Sequence, residues 1–223
     1  MLYSEQNVRD NIRNRDGKRV FYLAQGDSLT PSARDYLQRQ RIEILPAGEA
    51  RAQHYVLQNG AVFEEKPEDY THLRGNILVP KTHPVIAFRG AMDTLQAELL
   101  LSQLAVPALR QELGEILSLA RQILSREVME EPLQDVTLCG LTEAQQRKRS
   151  HFPQEYYGQP HFMPEATDGA AILQLNRTRC AARAAELAAA RAFVNGQRPD
   201  IQRALNRMSS MLYILMIQLK AKM

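Results

Sequence analysis

Beyond about residue 84 the apolar positions recur at helical spacing in long stretches, and the pattern predicts helices over 84–104, 107–130, 143–150, 169–194 and 199–222. In the second of these, Leu109, Leu113, Ile116, Leu117, Ala120, Ile123 and Leu124 form one wide apolar face. The joins carry their own signals. Pro107 and Pro199 open two helices, Thr142 can cap a third, and Asn195-Gly196 closes the fourth. Before residue 70 the rhythm is different: a strand over 18–24, a helix over 31–41 capped by Thr30 and opened by Pro31, and a short alternating strand over 41–45 ended by Pro46 and Gly48. Residues 46–70 are polar and turn-rich, with one candidate strand at 55–63, and read as a loop or hairpin. The fold class this predicts is all-α, a five-helix bundle over 71–223 with a small N-terminal α/β appendage over 1–70.

One segment breaks the helical pattern. Residues 151–168 carry Phe152, Tyr156, Tyr157 and Phe162 among three prolines and a glycine, which a regular helix would not accommodate. Either the rings pack the connection onto the bundle, or the loop is a lid over a large planar ligand. Composition narrows the rest. At 223 residues the chain needs no disulfide or structural metal to close a core, and Cys139 and Cys180 have no CxxC spacing, which suits a reducing cytoplasm. No secretory leader or membrane span is predicted, since the densest apolar run, 211–217, is far short of the roughly 20 residues a span requires. A net charge of +3 is too mild to argue for nucleic acid.

Eleven glycines are scattered without a GxxxxGK[ST] or GxGxxG pattern, so P-loop and Rossmann chemistry is excluded. There is no HExxH or GxSxG, which removes zinc and serine hydrolases. What remains is a basic face on the fourth helix, where Arg179, Arg183 and Glu186 fall at i, i+4 and i+7, with Arg177 and Arg191 nearby. Such a face is either solvated or suited to polyphosphate, because guanidinium forks match phosphate oxygens and a carboxylate one turn away can orient an arginine or hold a phosphate-bound magnesium. Asp93 stands in a helix that is otherwise apolar inward, so a partner arginine from another helix or subunit is expected. Asn206, Arg207, Ser209 and Ser210 interrupt the apolar run of the last helix, either to specify packing register or to border a site.

Several of these segments resemble the ethanolamine-utilisation type of ATP:cob(I)alamin adenosyltransferases. They are Thr71-His72-Leu73, residues 81–96, residues 161–183 and the run from Arg198 to Ser210, with Leu29-Thr30-Pro31-Ser32-Ala33-Arg34 near the start. More distantly, residues 90–96 are similar to the G-x-x-D-E-L-N segment of the propanediol-utilisation type, Arg179, Arg183 and Glu186 to its R-x3-R-x2-E helix, and Asn206-Arg207 to its N-R-L-S turn. The resemblance implies a homotrimer with ATP and corrinoid sharing each subunit interface. Asp93 would pair across that interface with Arg179 or, two residues away in register, Arg177. ATP would be met by Arg183, Glu186 and Asn206, with Lys81, Thr71, Arg74 and Arg89 towards its phosphates and Mg near Glu186. The corrinoid would be met by Phe162, Met163, Phe88 and Met208, with Phe162 beneath the ring. The catalytic set so implied is Arg183, Asp93, Arg179 and Phe162.

Two departures limit the transfer. The ethanolamine branch often carries a His and a Cys-Cys-x-x-Cys cluster before Thr-His-Leu that binds a divalent metal, and residues 46–70 here contain no cysteine, so dependence on that metal is not expected. The glycine-rich N-terminal phosphate loop of the propanediol branch is also missing. The expected activity is transfer of the 5'-deoxyadenosyl group of ATP to cob(I)alamin in a cytoplasmic enzyme, inside or attached to a bacterial microcompartment. A flavin reductase would supply electrons, microcompartment components are candidate partners, and neither membrane nor nucleic acid is involved. The rivals are a non-catalytic corrinoid carrier or microcompartment-docking helical protein, and an RNA-associated protein using the 177–191 face.

Overall fold

A computed structural model of the chain describes residues 1–15, 18–47, 55–63, 65–135 and 137–223. The chain divides into two compact units, Met1–Leu78 and Val79–Met223. It is mostly helical with a sheet portion.

In the first unit, β1 (Leu2–Tyr3) pairs in parallel with β4 (Ser28–Leu29). Between them lie α1 (Glu5–Asp10), β2 (Arg13–Arg15) and β3 (Lys18–Leu23), and after them come α2 (Pro31–Arg39) and β5 (Glu43–Pro46). β3 pairs antiparallel with β2 and parallel with β5, so α2 is the crossover of a strand-helix-strand unit. Thr30 caps α2 by accepting from the Ala33 N–H, with Pro31 next, as predicted. Val8, Phe21, Leu29, Ala33, Leu37 and Ile42 form the core of this unit, and Tyr3 meets Phe21 edge-on at 5.3 Å. A third, four-stranded sheet runs β7-β6-β9-β8, built from β6 (Tyr55–Leu57), β7 (Val62–Phe63), β8 (Tyr70–Arg74) and β9 (Ile77–Pro80). The candidate strand at 55–63 is thus a hairpin turning at Gly60, whose φ of +86° glycine tolerates. Gly48 lies outside the described residues. The β8–β9 hairpin was not predicted, and it falls in the stretch that the sequence assigned to the helical domain.

The second unit contains α3 (Pro84–Ala105), α4 (Arg110–Val128), α5 (Glu143–His151), α6 (Pro153–Tyr157), α7 (Gly169–Ala192) and α8 (Pro199–Lys220). α7 packs against both α3 and α8, α4 packs on α3, and α5 packs on α8. The buried face of α4 is the one the spacing predicts, with Leu113, Ile116, Ala120 and Ile123, and α3 buries Phe88, Met92, Leu95 and Leu99 while α8 buries Leu205, Met208, Leu212 and Leu215. The inward positions of α7 include Ala182, Ala185 and Ala189, whose small side chains let its two neighbours approach closely. Within this core Ser102 Oγ and Thr178 Oγ1 lie 2.6 Å apart, and the exposed Arg177 reaches in to Glu98 at 2.7 Å. Thr142 caps α5 in a capping box with Gln145, and the turn into α8 uses left-handed backbone at Asn195, Gly196 and Arg198.

The aromatic segment is more regular than its sequence suggests. Pro153 occupies the first turn of α6, where its missing N–H costs nothing, and Gly158 (φ +67°) ends that helix in left-handed backbone. Among the described residues, no helix is long and apolar enough to cross a membrane.

Candidate functional site

Because α7 and α8 are neighbours, their facing sides bring the basic and polar positions of both helices together. On α7, Asn176, Arg179, Cys180 and Arg183 recur at three- and four-residue spacing and share one side. On α8, Asn206, Ser210 and Tyr213 do the same. These two rows, with Arg147 and His151 from α5 and His161, Phe162, Met163 and Pro164 from the segment after α6, border one open cavity of about 890 Å³. That volume is within the range of a binding site for a sizeable ligand.

The charged wall is partly organised. Asn206 Nδ2 donates to Glu186 Oε1 at 2.9 Å, so the carboxylate one turn beyond Arg183 is tied to α8. Arg207 donates to the Asn206 amide oxygen, while its Nη1 is buried without a hydrogen-bond partner. Burial pushes the Arg207 guanidinium below its ordinary pKa, and nearby Arg147 acts in the same direction. The Arg179 guanidinium lies over the Tyr213 ring, 5.1 Å from its centroid. Arg183 is exposed at the cavity.

The aromatic wall is held by α8. Phe162 stacks with Tyr213 at 6.2 Å and an interplanar angle of 25°, and His161 lies nearly parallel to the same ring at 5.7 Å. Lys220 Nζ sits 5.5 Å from the centre of the Phe162 ring and is also ion-paired with the buried Asp168 at the end of the loop. That bond, together with the Glu165 N–H, holds the Asp168 carboxyl below its usual pKa. Met163 is 88% exposed.

The sequence-predicted residues therefore divide. Arg179, Arg183, Asn206, Phe162 and Met163 share the cavity, and Glu186 is bonded to it through Asn206. Phe88 and Met208 do not border it: both are wholly buried, and Phe88 packs edge-on against Phe193 at 5.3 Å. An apolar residue at core spacing is first a core residue, and these two pack among the helices. Arg89 also points elsewhere, its Nε and Nη2 reaching the fully buried Glu127 of α4 at 2.8 and 3.2 Å. Asp93 is exposed on α3, so no burial penalty demands a partner within the chain. Of the two arginines in ambiguous register, Arg177 is engaged with Glu98 and does not border the cavity, whereas Arg179 does. Lys81 is exposed just ahead of α3, and Thr71 and Arg74 lie on β8 of the first unit. Residues not predicted for the site are Arg147, His151, His161, Asn176, Cys180 and Tyr213. Helical spacing from Arg179 and Asn206 is the signal that finds Asn176 and Tyr213; no spacing rule reaches Arg147 from another element.

A cavity bordered by both guanidinium groups and stacked rings suits a ligand with an anionic part and a flat apolar part. The comparisons agree with that chemistry. The family model described as Cobalamin adenosyltransferase matches residues 61–219, and the chain belongs to that family. It is an enzyme of the adenosyltransferase class. The chain is similar to Corrinoid adenosyltransferase EutT of Salmonella typhimurium strain LT2, with 30% identity over 243 aligned residues covering 96% of this chain and 91% of that protein. It is also similar to Corrinoid adenosyltransferase EutT of Escherichia coli K12, with 34% identity over 158 residues covering 69% of this chain and 59% of that protein. No solved structure matches the chain.

Proposed function

We propose that the chain transfers the 5'-deoxyadenosyl group of ATP to the cobalt of cob(I)alamin, in ethanolamine utilisation, with the polyphosphate as the other product. The observation that carries this reading is the meeting of Arg179, Arg183, Asn206 and Phe162, from two helices and a loop, around one cavity. Cobalt attacks C5' of ATP with its electron pair, the cobalt–carbon bond forms, and the C5'–O bond breaks towards the triphosphate. Because cob(I)alamin is itself the nucleophile, the protein needs no activated serine or cysteine.

Its own groups position and neutralise. Arg183 meets the departing polyphosphate, whose charge grows as the bond breaks. Asn206 and Glu186 orient the nucleotide, and Glu186, tied to Asn206, would be the carboxylate that holds the magnesium ATP carries. Phe162 and Met163 lie against the corrin, where an apolar ring removes the lower cobalt ligand and makes the cob(II) form easier to reduce; a flavin reductase supplies that electron. Lys81, Thr71 and Arg74 are assigned to the phosphates from the family resemblance.

The helices of the second unit are read as the five-helix bundle of the family, assembled as a homotrimer. Support comes from the exposed side of α3, where Leu100, Leu101 and Leu104 are 46, 47 and 70% exposed along the same helix as Asp93. Asp93 pairs there with Arg179 of a neighbouring subunit, since Arg177 is taken up by Glu98 within its own chain. Attachment to a cytoplasmic microcompartment is part of the same reading. Replacing Arg183 with Ala removes a charge-assisted contact of about 1.5–3 kcal/mol, and should raise KM for ATP or lower kcat by about 10- to 100-fold. Unchanged kinetics would refute the assignment.

A further inference from the structure

The main chain of Phe162 is tied to α8 by the Tyr213 hydroxyl. The Phe162 N–H donates to Tyr213 Oη at 3.3 Å, and Tyr213 Oη lies 3.1 Å from His161 Nδ1. His161 Nε2 is 3.1 Å from the His151 carbonyl oxygen at the end of α5. A carbonyl can only accept, so Nε2 donates to it. The Tyr213 hydroxyl also lies 3.4 Å from the Phe162 carbonyl oxygen, so it meets both main-chain polar groups of Phe162, and through His161 the set is joined to α5. Both neighbouring rings also stack on Tyr213, which fixes the plane of Phe162 as well as its position. The His161–Phe162 pair has no regular secondary structure of its own to hold it.

We propose that Tyr213 is a positioning residue for adenosylation, acting through Phe162: its hydroxyl ties residues 161 and 162 to α8 so that the Phe162 ring is held ready beneath the corrin. This rests on the reading of the cavity as the corrinoid site. Phenylalanine at this position would keep both ring stacks and lose only the hydrogen bonds, so Tyr213→Phe isolates the hydroxyl. Lys220, about two turns further along the same face of α8, is the second clasp, through Asp168 and the Phe162 ring.

The test compares Tyr213→Phe, Phe162→Ala and wild type in three readings: adenosylation starting from cob(II)alamin with a reductant, adenosylation starting from chemically reduced cob(I)alamin, and the fraction of bound cob(II)alamin lacking its lower ligand, by electron paramagnetic resonance in the presence of ATP. For Tyr213→Phe, loss of the hydrogen bonds should lower the cob(II) rate about five- to tenfold, with a smaller fall in the cob(I) rate, a parallel loss of the ligand-free signal, and KM for ATP and Tm close to wild type. If Phe162→Ala slows the cob(II) reaction while Tyr213→Phe behaves as wild type, the positioning role is overturned. If Phe162→Ala is itself harmless, the assignment of Phe162 on which it rests falls instead. Equal losses in both rates with a lowered Tm would show a merely structural tyrosine and would also overturn the proposal.

Discussion

Replacing Arg89 with Met tests whether this arginine binds nucleotide, as the sequence suggests, or ties two helices together. Glu127 is fully buried on α4, and the Nε and Nη2 of Arg89 reach its carboxylate at 2.8 and 3.2 Å. Methionine keeps an unbranched stem of comparable reach and removes the guanidinium charge from beside the buried carboxylate. Breaking one side of a buried pair costs about 3–5 kcal/mol. For a chain of this size each kcal/mol moves Tm by about 2–4 °C, so Arg89→Met should lower Tm by about 6–20 °C. Removing both charges should restore most of that loss, because a well-packed apolar pair is close to neutral against a buried ion pair. The assay is thermal unfolding of Arg89→Met, Glu127→Leu and the double variant, with the coupling taken from the cycle, alongside KM for ATP. An unchanged Tm together with weakened ATP binding would refute the structural role and return Arg89 to the phosphates.

Three further outcomes follow from particular residues. Lys220 holds the Asp168 carboxyl below its ordinary pKa, so the stability it contributes is complete above the unfolded carboxylate value and is lost as pH falls through the lowered folded value. Denaturation of wild type and Asp168→Asn should therefore differ at neutral pH and converge in acid; a difference persisting below both values would contradict this. Burial, with Glu115 and Glu112 nearby, pushes the Cys139 thiol up to about 12, whereas Cys180 is exposed at the cavity. At pH 8 iodoacetamide should label Cys180 and spare Cys139, and a bulky maleimide on Cys180 should block corrinoid binding; mass spectrometry of the labelled peptides decides the first point and spectral titration the second. Thr142→Ala removes the cap of α5 and should cost about 1 kcal/mol, read as a lower denaturation midpoint.

The helical unit was legible because its apolar spacing and its end signals agree. Thr142, Pro199 and Asn195-Gly196 stand where the helices begin and stop, and the predicted ends lie within about two residues of those found. The β8–β9 hairpin was missed because Ile77, Leu78 and Val79 form a continuous apolar run without alternation, although Gly75-Asn76 between the strands, with Gly75 at φ +54°, is a two-residue hairpin turn signal. Cavity-lining residues were legible where chemistry repeats on one helix face, as for Arg179 and Arg183 on α7. Phe88 and Met208 show the limit, since periodicity places an apolar residue on a face and does not say whether helix or ligand covers it. Arg89 shows another: its partner lies 38 residues away, and only the packing of α3 on α4 brings the two together.

The central claim is best tested by anaerobic incubation of the purified protein with ATP, magnesium and chemically reduced cob(I)alamin, before and after treatment with a chelator that is then removed, following the absorbance change that marks a cobalt–carbon bond. Adenosylcobalamin formed in both preparations, with the polyphosphate released in equal amount, is the predicted result. Tight corrinoid binding without any adenosylated product would contradict the account and mark the chain as a carrier.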